Sequence, residues 1–188
     1  AVDTTSLSEV IFAVNGVRQT IALDTTDNVT FNAAVNLIEG QNTIEVIAND
    51  GINQSSALVT VTRDTSAPVV TLTAPPYYFV TSLTTVTVGG YVDDSSVTQV
   101  TLNVNGTGQT APVSGGAFSR SITLSDGGPI NAITVSATDA AGNTGSSATL
   151  TVIKDASKPS VLITQPGSGY VTGSASLQVT GNISSGNT

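Results

Sequence analysis

Apolar and polar residues alternate with a period of two through the middle of the chain, as at Val86, Val88 and Val92 and again at Ile133 and Val135. That period belongs to strands with one buried face, because successive side chains on a pleated backbone point to opposite sides. Between the turn signals it predicts seven strands: A over 69–73, B over 84–92, C over 97–105, C′ over 109–113, E over 117–124, F over 130–138 and G over 147–153. The turns fall at Asn105-Gly106, at Ser114-Gly115-Gly116, at 125–129 and at Ala141-Gly142-Asn143, where Gly, Asn and Asp supply the backbone angles that tight connections need. One buried face per strand calls for two facing sheets. Thr, Val and Ser make up about 40% of the chain, a bias toward side chains that suit a pleated surface. The predicted fold class is all-β.

The pattern repeats. Residues 97–106 (VTQVTLNVNG) echo 7–16 (LSEVIFAVNG) at an offset of 90, and 146–159 (SSATLTVIKDASKP) echo 55–68 (SSALVTVTRDTSAP) at an offset of 91. A third copy opens with PSVLITQP from Pro159, matching PVVTLTAP from Pro68. A unit of about 90 residues has the size of an immunoglobulin-like sandwich of about seven strands.

The residues Val104-Asn105-Gly106, the run ATDAAGN over 137–143, and the linkers DTSAP over 64–68 and DASKP over 155–159 resemble tandem bacterial or archaeal Ig-like (fibronectin-III-like) repeats of extracellular surface proteins. The resemblance implies tandem immunoglobulin-like β-sandwiches. It leaves function open among spacers, adhesins, filament parts and accessory modules of secreted carbohydrate-active enzymes.

The phase of the copies divides the chain into 1–65, an Ig-like repeat lacking strands A and B; 66–156, a complete domain; and 157–188, strands A and B of a third repeat. Ala1-Val2-Asp3 corresponds to Tyr91-Val92-Asp93, and 177–183 corresponds to 86–92, so the last segment holds what the first copy lacks. The inward-facing donor residues by alternation are Val161 and Ile163 on A and Leu177, Val179 and Ile183 on B. An open apolar groove and an unpaired strand edge invite an added strand.

The chain has 13 acidic and 5 basic side chains, and no His, Cys, Met or Trp. That excludes Cys-His and Ser-His-Asp chemistry, the usual zinc, haem and iron-sulfur ligation, and disulfides. A net charge of −8 with scattered cations argues against nucleic acid as a partner. No apolar run approaches a membrane span and no charged-then-apolar leader opens the chain, which starts without Met; no membrane insertion is expected. Low charge with abundant Thr, Ser and Gly favours an extracellular or cell-surface location.

Asp93-Asp94 could form an acid/base pair, but such a pair needs a cleft and a tuned environment that nothing in the sequence supplies; a turn after strand B is the common role of Asp-Asp-Ser-Ser, and no catalytic residue is expected. In this topology the B-C and F-G loops lie at the end where strand A begins, so Asp64, Asp93, Asp94 and Asp139 are expected to converge. Clustered carboxylates suit calcium as a structural ion, and the bland reading is four solvated turn residues. Transposed by one repeat, the set becomes Asp155 with Asp3 and Asp50 of a following subunit. Tyr77 and Tyr78 are candidates for stacking on a glycan, whereas Phe79 and its counterpart Tyr170 read as structural. Lys154 and Lys158 sit at a strand end and in a linker, poor places for a self-made isopeptide bond. The sequons at Asn28, Asn53, Asn105 and Asn182 are as many as this composition supplies by chance.

These readings converge on a non-enzymatic extracellular subunit assembling head-to-tail with itself by donation of the C-terminal A-B strands. The alternative is a fragment of a longer repeat adhesin, or a spacer or carbohydrate-binding accessory module of a secreted enzyme.

Overall fold

A computed structural model describes residues 7–21, 32–125, 128 and 130–185. These residues form strands and turns only, and none of them belongs to a helix long and apolar enough to cross a membrane. The chain divides into two compact units, Ala1–Ser66 and Ala67–Thr188.

The first unit holds β1 (Glu9–Val14), β2 (Val17–Ile21), β3 (Gly40–Asn49) and β4 (Gln54–Arg63) in one antiparallel sheet of order β2-β1-β3-β4. Val14 pairs with Val17, leaving Asn15-Gly16 as a two-residue turn with φ of 50° and 80°, the positive pair that matches the twist of a hairpin. Val10, Phe12 and Val14 point to one face and are buried. β4 is exposed along its whole length and forms the outer edge of the sheet.

The second unit contains β5 (Val70–Ala74), β6 (Phe79–Thr81), β7 (Thr85–Val92), β8 (Gln99–Val104), β9 (Thr107–Ser114), β10 (Ala117–Thr123), β11 (Ile130–Thr138), β12 (Thr144–Ser146) and β13 (Leu150–Lys154). One layer is β5-β7-β10 and the other β9-β8-β11-β13-β6, joined where the end of β9 turns to pair with β10. The two layers enclose a core built on Val88, Val100, Leu102, Ile122, Ile133, Val135, Leu150 and Val152. The order β9-β8-β11-β13 in this unit and β2-β1-β3-β4 in the first follow the same path, C′-C-F-G.

Two features differ from the sequence reading. Strand G, expected as one run over 147–153, is found as β12 just before that run and β13 from Leu150 onward. The N–H of Ser147 donates to Val135 O at 2.8 Å while its Oγ accepts from Val135 N at 3.0 Å, so one residue bulges out between the two parts. β6 was not expected at all. After Pro75 and Pro76, which have no N–H to offer a ladder, the chain leaves β5 and crosses to pair parallel with β13.

The last strands, β14 (Ser160–Gln165) and β15 (Thr180–Ser184), form a two-stranded sheet and pair only with each other among the described residues. Every residue in both strands is exposed. Leu177 and Val179, expected on strand B, precede β15 and lie outside any strand. Their counterparts Val86 and Val88 are held in β7 because β10 pairs with them, Ile122 opposite Val86 and Arg120 opposite Val88. Among the described residues the hairpin has no such neighbour, so only the part facing β14 forms a ladder.

Candidate functional site

A backbone turn needs acceptors for its inward N–H groups, and a short Asp side chain supplies them. Most of the acidic residues singled out above do this. Asp64 Oδ1 accepts from Ser66 N at 2.9 Å in the first unit. In the second unit Asp94 Oδ1 accepts from Ser96 N at 2.7 Å, and Asp155 Oδ1 from Ser157 N at 2.9 Å. Asp50 turns the hairpin between β3 and β4, accepting from Ile52 N at 2.7 Å and from the N–H of Asn53. Asp3 lies outside the described residues.

Asp139 repeats the Asp50 arrangement in the turn after β11. Its Oδ1 accepts from Ala141 N at 2.9 Å and Asn143 N at 2.8 Å, and its Oδ2 from Asn143 Nδ2 at 2.8 Å. Burial opposes its charge. The bonds from the Asn143 side chain and backbone, with those from Ala141 and Gly142, outweigh that penalty and hold the carboxyl below the ordinary aspartate range.

Asp93 works differently, tying the start of strand A to the end of strand B: Val69 N donates to its Oδ1 at 2.7 Å, and Asp93 N donates to Val69 O at 3.3 Å. The loop after β7 meets the turn after β11 through Ala140 N, which donates to Ser96 Oγ at 3.2 Å. Carboxylate oxygens of Asp94 and Asp139 come within 4.8 Å of each other. Beside them an open groove of about 390 Å³ is lined by Ser96, Thr98, Gln99, Thr101, Ser136 and Thr138. Hydroxyls and amides line it, and Asp139 is its sole ionisable group.

Tyr77 and Tyr78 are exposed, Tyr78 with φ of 65°, while Phe79 packs against the core. Tyr170, read as structural, is exposed on the segment joining β14 to β15.

The larger feature is apolar. By the repeat, Val59 and Val61 of β4 correspond to Leu150 and Val152 of β13. Leu150 and Val152 are fully buried, whereas Val59 is 53% and Val61 36% exposed. Ile44 and Val46, counterparts of the buried Ile133 and Val135, are only half-buried. The second unit buries these positions under β5 and β7. The hairpin carries the counterparts of those strands, with Val161 72% and Ile183 80% exposed.

Its geometry is already that of the complete domain. In β5–β7, Val70 pairs with Val92, Thr71 with Tyr91 and Leu72 with Gly90, followed by a bulge that sets Ala74 opposite Gly89. In β14–β15, Val161 pairs with Ile183, Leu162 with Asn182 and Ile163 with Gly181, followed by the same bulge with Gln165 opposite Thr180. The glycines recur because the backbones approach too closely for a side chain. A methyl group on Gly90 would strike the Thr71 carbonyl oxygen, and one on Gly181 the Leu162 carbonyl oxygen.

Two facing sheets, the C′-C-F-G path and a strand that crosses between layers make the second unit an immunoglobulin-like, fibronectin-III-like β-sandwich. Residues 68–156 match the family model described as Glucodextranase, domain B. Over 116 residues the chain is 37% identical to Bacillopeptidase F of Bacillus subtilis (strain 168), covering 61% of this chain and 8% of that protein. The fibronectin(III)-like modules of Clostridium thermocellum CbhA superpose with a TM-score of 0.43 at 18% identity, over 83% of each chain. A chimeric titin Z1Z2-Z1Z2 tandem gives 0.38 at 17%, over 80% of this chain and 85% of that one.

Proposed function

We propose that this chain is a non-catalytic, extracellular structural subunit that assembles head-to-tail, the β14–β15 hairpin of one copy completing the first unit of the next. The carrying observation is the complementarity of two exposed apolar surfaces: core positions of β4 left open, and a hairpin in the register of the strands that cover the same positions in the second unit. Burying an aliphatic side chain contributes roughly 1.5 to 3 kcal/mol, so Val161, Ile163, Leu177, Val179 and Ile183 together are worth on the order of 8 to 15 kcal/mol before ordering costs. A donated strand that continues from copy to copy gives an open fibre when its rotation does not close. In a longer array, a neighbouring repeat of the same polypeptide would supply the equivalent strands. The non-catalytic reading rests on the absence of His and Cys and on the structural employment of the aspartates.

Negative-stain microscopy of the purified chain, with and without residues 159–188, tests this. Regular fibres that disappear on deletion support donation; fibres that survive it overturn it.

The accessory-module alternative draws on the match of 68–156 to a domain of a glucodextranase and on the likeness to Bacillopeptidase F. It expects a monomer retarded on polysaccharide gels through Tyr77 and Tyr78. Calcium belongs to either reading as a structural ion near Asp94 and Asp139, whose clustered oxygens favour a hard cation. Calorimetric titration up to millimolar calcium, on the intact chain and on Asp94→Asn, tests it; no heat from either leaves these residues as turn formers.

A further inference from the structure

Donation as described concerns strands A and B; the connection between them has a role of its own, and this inference rests on that reading. In the second unit the corresponding segment is β6, which leaves the A-B layer and adds a parallel strand to the other one. Phe79 lies opposite Val152, Val80 opposite Ile153 and Thr81 opposite Lys154, and Asp155 N donates to Thr81 O at 2.9 Å. β6 is thereby the outer strand of its layer, covering the edge that β13 would otherwise present.

By the repeat, the counterpart of this stretch of β13 is Val61-Thr62-Arg63 at the end of β4, an edge with no further strand beside it among the described residues. The counterpart of β6 is Tyr170-Val171-Thr172, between β14 and β15, where Val171 is 89% exposed. Residues 159–172 follow 68–81 without a gap, sharing the proline at 75 and 166 and the Val-Thr pair at 80–81 and 171–172. An open β edge offers unpaired N–H and C=O groups that an extended segment of matching register satisfies.

We propose that segment 170–172 of one copy adds a parallel strand to β4 of a second copy, with Tyr170 opposite Val61, Val171 opposite Thr62 and Thr172 opposite Arg63. The donated hairpin then grips both layers of the acceptor. Tyr170, whose counterpart Phe79 packs against the core of the second unit, joins the five aliphatic residues already named. At roughly 60 to 120 Å² each, six such side chains remove on the order of 400 to 700 Å² from water on the donor, with a comparable area on the acceptor. The total reaches the scale of about 1,000 Å² or more that a specific interface requires.

The chain contains no cysteine, so an engineered pair reports this contact without background. Thr62→Cys with Val171→Cys, both at exposed positions of the intact chain, is expected to give a ladder of dimers, trimers and higher species on denaturing gels after mild oxidation, collapsing to monomer on reduction. Thr60→Cys with Val171→Cys, displaced by two residues, is expected to crosslink at least tenfold less. Val80→Cys with Ile153→Cys should close within one chain, because that pair is already in register. Fibres seen by microscopy whose Thr62/Val171 pair stays monomeric on the gel overturn the β4 contact while leaving A-B donation standing. A single fast-migrating monomer band shows the segment folding onto its own first unit and overturns the assignment to a second copy. Absence of both fibres and ladder removes the donation reading, and this inference with it.

Discussion

The side-chain amide of Asn105 donates to Oδ1 of Asn131 at 2.9 Å, and that of Asn15 donates to Oδ1 of Asn42 at the same distance. Each pair ties the turn after strand C to the start of strand F. Oδ1 of Asn105 also accepts from Ala132 N, and Oδ1 of Asn15 from Thr43 N, both at 2.9 Å. The buried partner reaches one step further: Asn131 accepts from Ser125 N at 2.7 Å and Asn42 from Ile38 N at 2.9 Å, fixing the chain as it enters strand F. A buried side-chain carbonyl oxygen is tolerated when bonded in this way. Asn131→Ala leaves two donors without their acceptor and is expected to cost about 2 to 4 kcal/mol in urea denaturation of the intact chain. Asn42→Ala should destabilise the first unit by the same mechanism, and loss of under about 0.5 kcal/mol in both variants would show the pairs to be incidental.

Leu150 and Val59 occupy equivalent positions with opposite burial. Leu150→Ala opens a cavity in a closed core and should cost about 2 to 5 kcal/mol. Val59→Ala in unassembled protein should change stability by less than about 0.5 kcal/mol, as at other exposed sites. In fibres the same Val59 substitution should lower the temperature at which they dissolve. Equal effects of Val59→Ala on free and assembled protein would count against a covered β4.

Gly90 and Gly181 allow the same close approach in two places. Phe118 Cζ would also stand 2.9 Å from a methyl group on Gly90, so Gly90→Ala must push β5 away and distort the core. It is expected to cost about 1 to 3 kcal/mol or more, as overpacking does. Gly181→Ala should leave the thermal unfolding of the second-unit sandwich unchanged and abolish fibre formation by disturbing the hairpin. Microscopy and circular dichroism on the same preparation check both halves.

Asp139 carries a lowered pKa, and Glu39 does too, held down chiefly by the N–H of Thr65, against burial, with help from the Thr65 hydroxyl and the charge of Arg63. A carboxyl with a depressed folded value contributes stability that is present above the unfolded pKa, about 4 for these groups, and is lost as pH falls through the folded value. The melting temperature should therefore be flat from pH 7 to about 5 and fall below about 4. Asp139→Asn should lower it at pH 7 and flatten its acid limb. An acid limb identical to that of the parent protein would mean that Asp139 does not contribute.

Strands A to F and β13 of the second unit were legible because their information is local. A period of two marks a half-buried strand wherever it occurs, and Asn105-Gly106 and Gly115-Gly116, each with both φ values positive, make hairpins regardless of what packs on them. The approach of the loop after β7 to the turn after β11, through Ser96 and Ala140, follows from connectivity alone, which puts those loops at one end. The Asn pairs were not legible, since Asn105 read only as a turn former and its partner lies on another strand.

Strand β6 and the incomplete order of Leu177 and Val179 were decided by tertiary structure alone. Three residues after two prolines carry no period, and only the open edge of β13 makes them a strand. Leu177 and Val179 alternate as well as Val86 and Val88 do, yet a strand exists only where another backbone satisfies its N–H and C=O groups, and β10 does so for the second pair alone. Alternation determined which side chains would face inward; the presence or absence of a facing sheet decided which of them were buried.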